Sequence, residues 1–259
     1  MRIGFLGAGN MASAILRGMR DMEKGCYDIS EAAVRRAEQE LGARGFSSGE
    51  ALCAWADIVV LAVKPQVLEG AVRPLAGALA GKAVASIAAG WSLERLAALL
   101  PESRLCRVMP NTPAMVGAGM AAIAKETTFA PAEFDCIRAV FSAIGRVVVV
   151  EERLFDAVTA VSGSGPAYLY MVIEAMADAG VREGLSRASA LELAAQTALG
   201  SAKMVLESGL HPAALRDMVC SPGGTTIDAV CTLEEKGLRA AVESAVRVCA
   251  EKSRAMSKQ

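Results

Sequence analysis

The chain opens with a short apolar run, Arg2 to Leu6. It passes straight into Gly7-Ala8-Gly9-Asn10-Met11-Ala12 and then into apolar residues at helical spacing, Asn10 to Arg20. This order constrains the fold more than anything else in the sequence. A buried strand that ends in glycine turns sharply, and the helix that follows must lie close against the strand it left. Gly7 serves the turn, Gly9 keeps the backbone bare where a ligand can approach, and Ala12 is small enough for close helix–strand packing. The helix start adds unpaired N–H groups and the positive end of the helix dipole, a seat for a pyrophosphate. The alternative reading is a tight turn without a ligand.

The alternation continues. Cys26 to Ile29 is a weak second strand, and Ser30 to Leu41 is a charged amphipathic helix with Ser30 as its N-cap. Ile58 to Val63 is a buried strand, and Val84 to Ile87 and Leu105 to Met109 are further strands. Ser92 caps a helix over Leu93 to Leu100 that Pro101 stops. Met120 to Ala124 and Arg146 to Val150 complete the strands, with a helix over Ala132 to Ile144 between them. The pattern predicts an α/β fold, a Rossmann-like doubly wound sheet with helices on both faces.

Beyond Glu152 the strand pattern disappears. Helical spacing covers Phe155 to Val161, Pro166 to Ala179, Ser186 to Ser208 (closed by Gly209), Pro212 to Val219, a helix begun by Thr225 or Thr226 and ended by Gly237, and Leu238 to Met256. The expected organisation is a dinucleotide-binding domain over 1–152 and an all-helical substrate-binding and dimerisation domain over 153–259. The chain is 53% hydrophobic but only 4% aromatic, so Ala, Val and Leu supply the apolar surface, which suits closely packed helices. Those of the second half would leave much of it open unless paired with another copy. This predicts a homodimer or a higher oligomer.

A net charge of −1 gives no reason to expect nucleic acid or an anionic membrane as partner. The seven cysteines contain no CxxC pair and the single histidine is His211, so no metal site is expected. An odd cysteine count without paired spacing suits reduced thiols. With a strand and turn where a signal peptide would lie, it predicts a cytoplasmic location. No apolar run reaches about 18 residues, so no membrane span is expected.

Ligands of open α/β sheets bind past the C-terminal ends of the strands. Asp28 lies where an acid holds the ribose 2′-OH of NAD, and it reads equally as a cap at the start of the next helix. Leu61-Ala62-Val63-Lys64-Pro65 ends the Ile58 strand and puts Lys64 at the crevice. Ser86-Ile87-Ala88-Ala89-Gly90 is small and apolar, so a flat nicotinamide ring could lie against it. Pro110-Asn111-Thr112-Pro113 holds Asn111 and Thr112 between two prolines, as site floor or as structural turn. In the second half, Ser221-Pro222-Gly223-Gly224-Thr225-Thr226 runs into the helical pattern Ile227 to Lys236. Its glycines, hydroxyls and helix start make a cradle for a small anion. No Gly-Lys-Ser/Thr follows, so it is not a Walker loop. Thr225 and Thr226 also read as helix caps.

Together with Asp156-Ala157-Val158-Thr159, Ser162-Gly163-Ser164-Gly165-Pro166-Ala167-Tyr168, Glu174-Ala175-Met176-Ala177-Asp178-Ala179-Gly180-Val181 and Ala202-Lys203-Met204, these segments resemble pyrroline-5-carboxylate reductase. The resemblance runs from residue 3 to near residue 250. It implies reduction of 1-pyrroline-5-carboxylate to L-proline, the last step of proline biosynthesis, with NADPH or NADH as cofactor. It implies that Gly7, Ala8, Gly9, Asn10 and Met11 hold the pyrophosphate. Ala62, Val63 and Lys64 would line the nucleotide and Ala89 the nicotinamide, with Asp28 and Asn111 at the same cofactor site. Ser221, Gly223, Gly224, Thr225 and Thr226 would bind the substrate, and Glu152 aligns with a substrate-site acid. Where NADPH-using relatives often carry Ser or Asn and a basic residue, this chain has Asp28-Ile29.

Reducing a cyclic imine takes a hydride donor, an anchored carboxylate and a proton for nitrogen. A threonine hydroxyl is a poor general acid, but a substrate bound as an iminium needs none. Thr226 is therefore expected as the catalytic residue, orienting or protonating the ring nitrogen. Two readings compete. A β-hydroxyacid dehydrogenase would carry G-x-G-x-x-x-K at the start of its helical half; counted from Gly163 and Gly165, that lysine position is Leu169. A nucleotide-sensing dimer would need the N-terminal turn but not the Ser221 to Thr226 loop.

Overall fold

The computed structural model describes residues 1–257. Chain order runs β1 (Ile3–Leu6), α1 (Asn10–Gly18), β2 (Lys24–Tyr27), α2 (Glu31–Leu41), β3 (Arg44–Gly45), α3 (Gly49–Trp55) and β4 (Ile58–Leu61). The short helices α4 (Leu68–Val72) and α5 (Ala76–Leu79) follow, then β5 (Ala83–Ser86), α6 (Leu93–Leu99) and β6 (Arg104–Met109). β7 (Gly119–Ala124), α7 (Pro131–Ser142) and β8 (Gly145–Val150) complete the sheet half.

The strands form one sheet in the order β3-β2-β1-β4-β5-β6-β7-β8. Every neighbouring pair is parallel except β6 and β7. The link from Pro110 to Ala118 is shorter than the dozen or so residues of a parallel crossover, so β7 turns back. Strand order reverses between β1 and β4, which makes their C-terminal ends the topological switch point.

Side chains alternate between two cores, one on each face. Ile58 and Val60 of β4 join Ile3 and Phe5 under α1, α2 and α7, while Val59 and Leu61 join Leu6 under α3 to α6. Fully burying one such side chain contributes about 1.5–3 kcal/mol, and a strand buried on both faces reads as a continuous apolar run. The Lys24 ammonium donates to the carbonyls of Leu16 (2.8 Å) and Met19 (2.7 Å), closing the C-terminal end of α1 against β2. The expected strands are all present with ends shifted by a residue or two. β3 and α3 had no readable period, being two and seven residues long.

After β8 come a 3₁₀ turn (Glu152–Leu154), α8 (Phe155–Val158), a π-helical turn (Thr159–Gly163), α9 (Gly165–Arg182), α10 (Arg187–Ser208), α11 (Pro212–Val219), α12 (Thr225–Glu235) and α13 (Leu238–Ser257). The chain forms two compact units. One is Met1–Ser164 with the chain from Val248 onward, and the other is Gly165–Arg247. The last turns of α13 belong with the first unit because Ser253 Oγ donates to Asp156 Oδ1 at 2.6 Å and Cys249 Sγ to Ser164 Oγ at 3.2 Å.

In the second unit α9 and α10 form a helical hairpin. A Cβ on Gly180 would lie 3.2 Å from that of Ala190, a tight contact that glycine relieves. Its buried apolar cluster consists of Ala177, Ala190 and Ala194, while Leu169, Met171, Leu193, Leu199 and Leu206 lie exposed. Among the described residues no helix is long and apolar enough to cross a membrane.

Candidate active site

The turn after β1 is shaped for a ligand. Gly7 has φ +105°, and a Cβ there would lie 2.8 Å from the Ala62 carbonyl oxygen, so β1 and β4 end in backbone contact that no side chain allows. Around Gly9, by contrast, a Cβ would meet nothing within 4 Å. Gly9 is the N-cap of α1 and no side chain caps the helix, which leaves its first-turn N–H groups to an anion. Asn10 is exposed and Met11 half-buried beside this opening, while Ala8 is buried beneath it. The bare backbone and uncapped helix fit a dinucleotide pyrophosphate.

Asp28 closes the same turn from the side. Its Oδ2 accepts from the Ala8 N–H at 2.8 Å and its Oδ1 from the Ser30 N–H at 2.9 Å. Ser30 is the N-cap of α2, accepting from Ala33. Asp28 therefore stands before the cap rather than in it. A carboxylate offers about four lone-pair sites, so two remain for a ligand.

A cavity of about 580 Å³ opens here, lined by Gly7, Asp28 and Ile29 on one side and Val63, Gln66 and Val67 on the other, with Glu50 at its wall. Gln66 and Val67 carried no signal in the sequence, since the segment after β4 breaks into short turns. Ala62 and Val63 are half-buried and Lys64 is exposed at the end of β4. The Trp91 indole N–H donates to the Pro65 carbonyl at 3.0 Å, joining the turns after β4 and β5. Ala89 lies half-buried in the second of these, followed by Gly90 at φ +77°.

Asn111 is committed inside the fold. Its Nδ2 donates to the Ser162 carbonyl at 3.0 Å and its Oδ1 accepts from the Met120 N–H at 2.8 Å. This pins the π-helical turn to the end of β6. Glu152 is likewise engaged within the first unit: Oε1 accepts from Arg107 at 3.0 Å and from the Leu93 N–H at the start of α6 at 2.7 Å. The Arg107 side chain is 6% exposed and its guanidinium lies 4.6 Å from the Phe155 ring centroid. These contacts give Glu152 a supporting role beside the substrate contact that the resemblance implies. In the sequence Arg107 reads as one more charge on a strand.

In the second unit, Ser221, Pro222, Gly223 and Gly224 form a turn. The Gly224 N–H donates to the Ser221 carbonyl at 3.0 Å and Gly223 has φ +67°. Proline second and left-handed glycine third mark a type II turn. A Cβ on Gly224 would meet Ser221 Oγ at 2.3 Å. Gly224 is the N-cap of α12 and no side chain caps it, so neither Thr225 nor Thr226 is the cap. Thr225 is exposed and Thr226 half-buried in the first turn. Uncapped N–H groups beside two free-standing hydroxyls can take a carboxylate.

Comparison with known proteins bears on both units. Residues 152–256 match the family described as pyrroline-5-carboxylate reductase dimerisation, and residues 2–90 the family described as NADP oxidoreductase, coenzyme F420-dependent. The chain is 44% identical over 267 residues to the pyrroline-5-carboxylate reductase of Escherichia coli (strain K12), across 99% of this chain and 98% of that protein. It is similar to the crystal structure of Plasmodium falciparum pyrroline carboxylate reductase with NADP bound, at TM-score 0.89 and 32% identity, across 99% of this chain and 98% of that one. The Coxiella burnetii pyrroline-5-carboxylate reductase structure gives TM-score 0.93 at 31% identity, across 100% of this chain and 99% of that one.

Proposed function

The chain belongs to the pyrroline-5-carboxylate reductase family, and on that premise we propose that it reduces 1-pyrroline-5-carboxylate to L-proline, the last step of proline biosynthesis. One observation carries the reading: a single chain holds both an uncapped glycine turn at a strand switch point and a second uncapped helix start, at α12, flanked by two threonines. A reduced nicotinamide cofactor, NADPH or NADH, supplies the hydride when bound. Gly7, Gly9 and the first turn of α1 receive its pyrophosphate, Asp28 its ribose, and Ala62, Val63, Lys64 and Ala89 line its length.

The turn at Ser221 to Gly224 and the first N–H groups of α12 hold the substrate carboxylate. Thr226 orients the ring nitrogen through its hydroxyl; binding the imine already protonated removes the need for a stronger acid. Glu152 holds Arg107 and the start of α6 and keeps that region rigid. Asn111 does the same for the π-helical turn.

The exposed apolar faces of α9 and α10, and the match to a dimerisation family, support a homodimer or a higher oligomer. Seven free cysteines support a cytoplasmic location. The β-hydroxyacid dehydrogenase reading lacks its base, because Leu169 occupies the lysine position. The deciding experiment follows oxidation of NADH and NADPH by absorbance with and without 1-pyrroline-5-carboxylate. Oxidation that depends on the imine and yields proline is expected; binding without turnover would indicate a nucleotide sensor instead.

A further inference from the structure

We propose that the cofactor site of this chain is built for NADH and discriminates against NADPH; this deepens the dinucleotide reading above and rests on it. The two cofactors differ by one phosphate on the adenosine ribose, which carries a charge of about −1.5 to −2 at neutral pH. Its binding requires cations or spare N–H donors. The cavity beside the glycine turn offers no cation. Its charged lining residues are Asp28 and Glu50, and no lysine or arginine lines it.

The neighbouring helix start is poorly suited to a phosphate as well. The Ser30 N–H is held by Asp28, the Ala33 N–H by Ser30 Oγ, and the first residue of α2 is Glu31. Three basic residues of adjoining elements have other partners. Arg35 pairs with Glu31 at 3.0 Å, Arg44 lies 5.0 Å over the Phe46 ring, and Arg73 pairs with Glu69. At the cavity mouth, where a cation would be needed, Ile29 is 93% exposed.

The carboxylate of Asp28 cannot turn away to relieve the repulsion, because N–H groups at 2.8 and 2.9 Å fix both oxygens. The same fixation suits a ribose diol. Two lone-pair sites remain on a carboxylate already aimed by the backbone, enough to accept two hydroxyl donors. One arrangement therefore favours the unphosphorylated cofactor and repels the other.

The test titrates the intact protein with NADH and with NADPH, following the fluorescence of the reduced nicotinamide. NADH is expected to bind at least about tenfold more tightly. Two substitutions at exposed positions probe the cause without disturbing Asp28. Ile29→Arg combined with Glu50→Gln should move the NADPH-to-NADH affinity ratio toward NADPH by at least about tenfold. NADPH binding as tight as NADH in the unaltered protein, or a ratio unmoved by the double substitution, overturns the proposal. Turnover is scored separately. NADH preference without imine-dependent oxidation sinks the reductase reading and leaves the site intact, whereas proline formation with NADPH preferred does the reverse.

Discussion

Asp28 accepts a hydrogen bond from the Ala8 N–H at 2.8 Å, so the acid at the end of β2 holds the glycine turn at the end of β1. Position and charge act together here: the residue that would meet the ribose also shapes the pyrophosphate seat. Asp28→Ala removes both bonds. Hydrogen bonds to a charged group contribute about 1.5–3 kcal/mol each, and partial exposure reduces this. A loss of about 2 kcal/mol in denaturant unfolding is expected. NADH affinity should fall more than NADPH affinity in parallel titrations.

Gly7→Ala puts a Cβ 2.8 Å from the Ala62 carbonyl oxygen at φ +105°. Neither the backbone of β4 nor the dihedral yields cheaply. The expected cost is at least about 2 kcal/mol in stability, with NADH binding lost because the turn must open. Thermal unfolding and fluorescence titration read the two effects.

Thr226→Val keeps the shape of the side chain and removes the hydroxyl. If that hydroxyl orients the ring nitrogen, kcat/KM for the imine should fall about 10- to 100-fold while the NADH Kd stays the same. Thr226→Ser should restore much of the loss. Since Gly224 is the helix cap, a small change in unfolding midpoint is expected for either.

Glu152→Gln leaves the Arg107 guanidinium, 6% exposed, without its counter-charge. Removing one partner of a buried pair costs about 3 kcal/mol. Arg107→Met in the same background should recover part of it, a coupling that a double-mutant cycle measures. A supporting role leaves KM for the imine within about twofold in the folded fraction.

Burial pushes the Cys106 thiol up to about 12, and those of Cys26 and Cys53 to about 11. An unfolded thiol titrates near about 8.5. Raised folded values contribute stability that is complete below the unfolded value and lost as pH rises toward the folded ones, so unfolding midpoints should drop above about pH 8.5. On the acid side, hydrogen bonds from Arg104 hold the Glu133 carboxyl below its usual range. Its contribution is present above about pH 4.3 and disappears as pH falls further. At about pH 8 a thiol reagent should leave Cys26, Cys53 and Cys106 unmodified until denaturant is added.

Most of the fold was legible because its signals are local. Ile58 to Leu61 is a four-residue apolar run, three of its residues β-branched, which favours a strand. Pro222 and Gly223 specify a type II turn by their own dihedral preferences. β3 and α3 were not legible because the first is too short to carry a period and the second owes its existence to packing under β1 and β2. The reversal of β7 followed from the length of one connection rather than from any residue in the strand.

From the sequence alone one could determine the strand–turn–helix seat, the change from alternation to helices near residue 150, and the second helix start at Thr225, since each depends on residues adjacent in the chain. Tertiary structure decided what the charged and amide side chains do. Asp28 meets Ala8 across 20 residues, Glu152 meets Arg107 across 45, and Asn111 meets Ser162 across 51. A carboxylate is defined by the donors that reach it, and only the order of the strands brings those donors within about 3 Å.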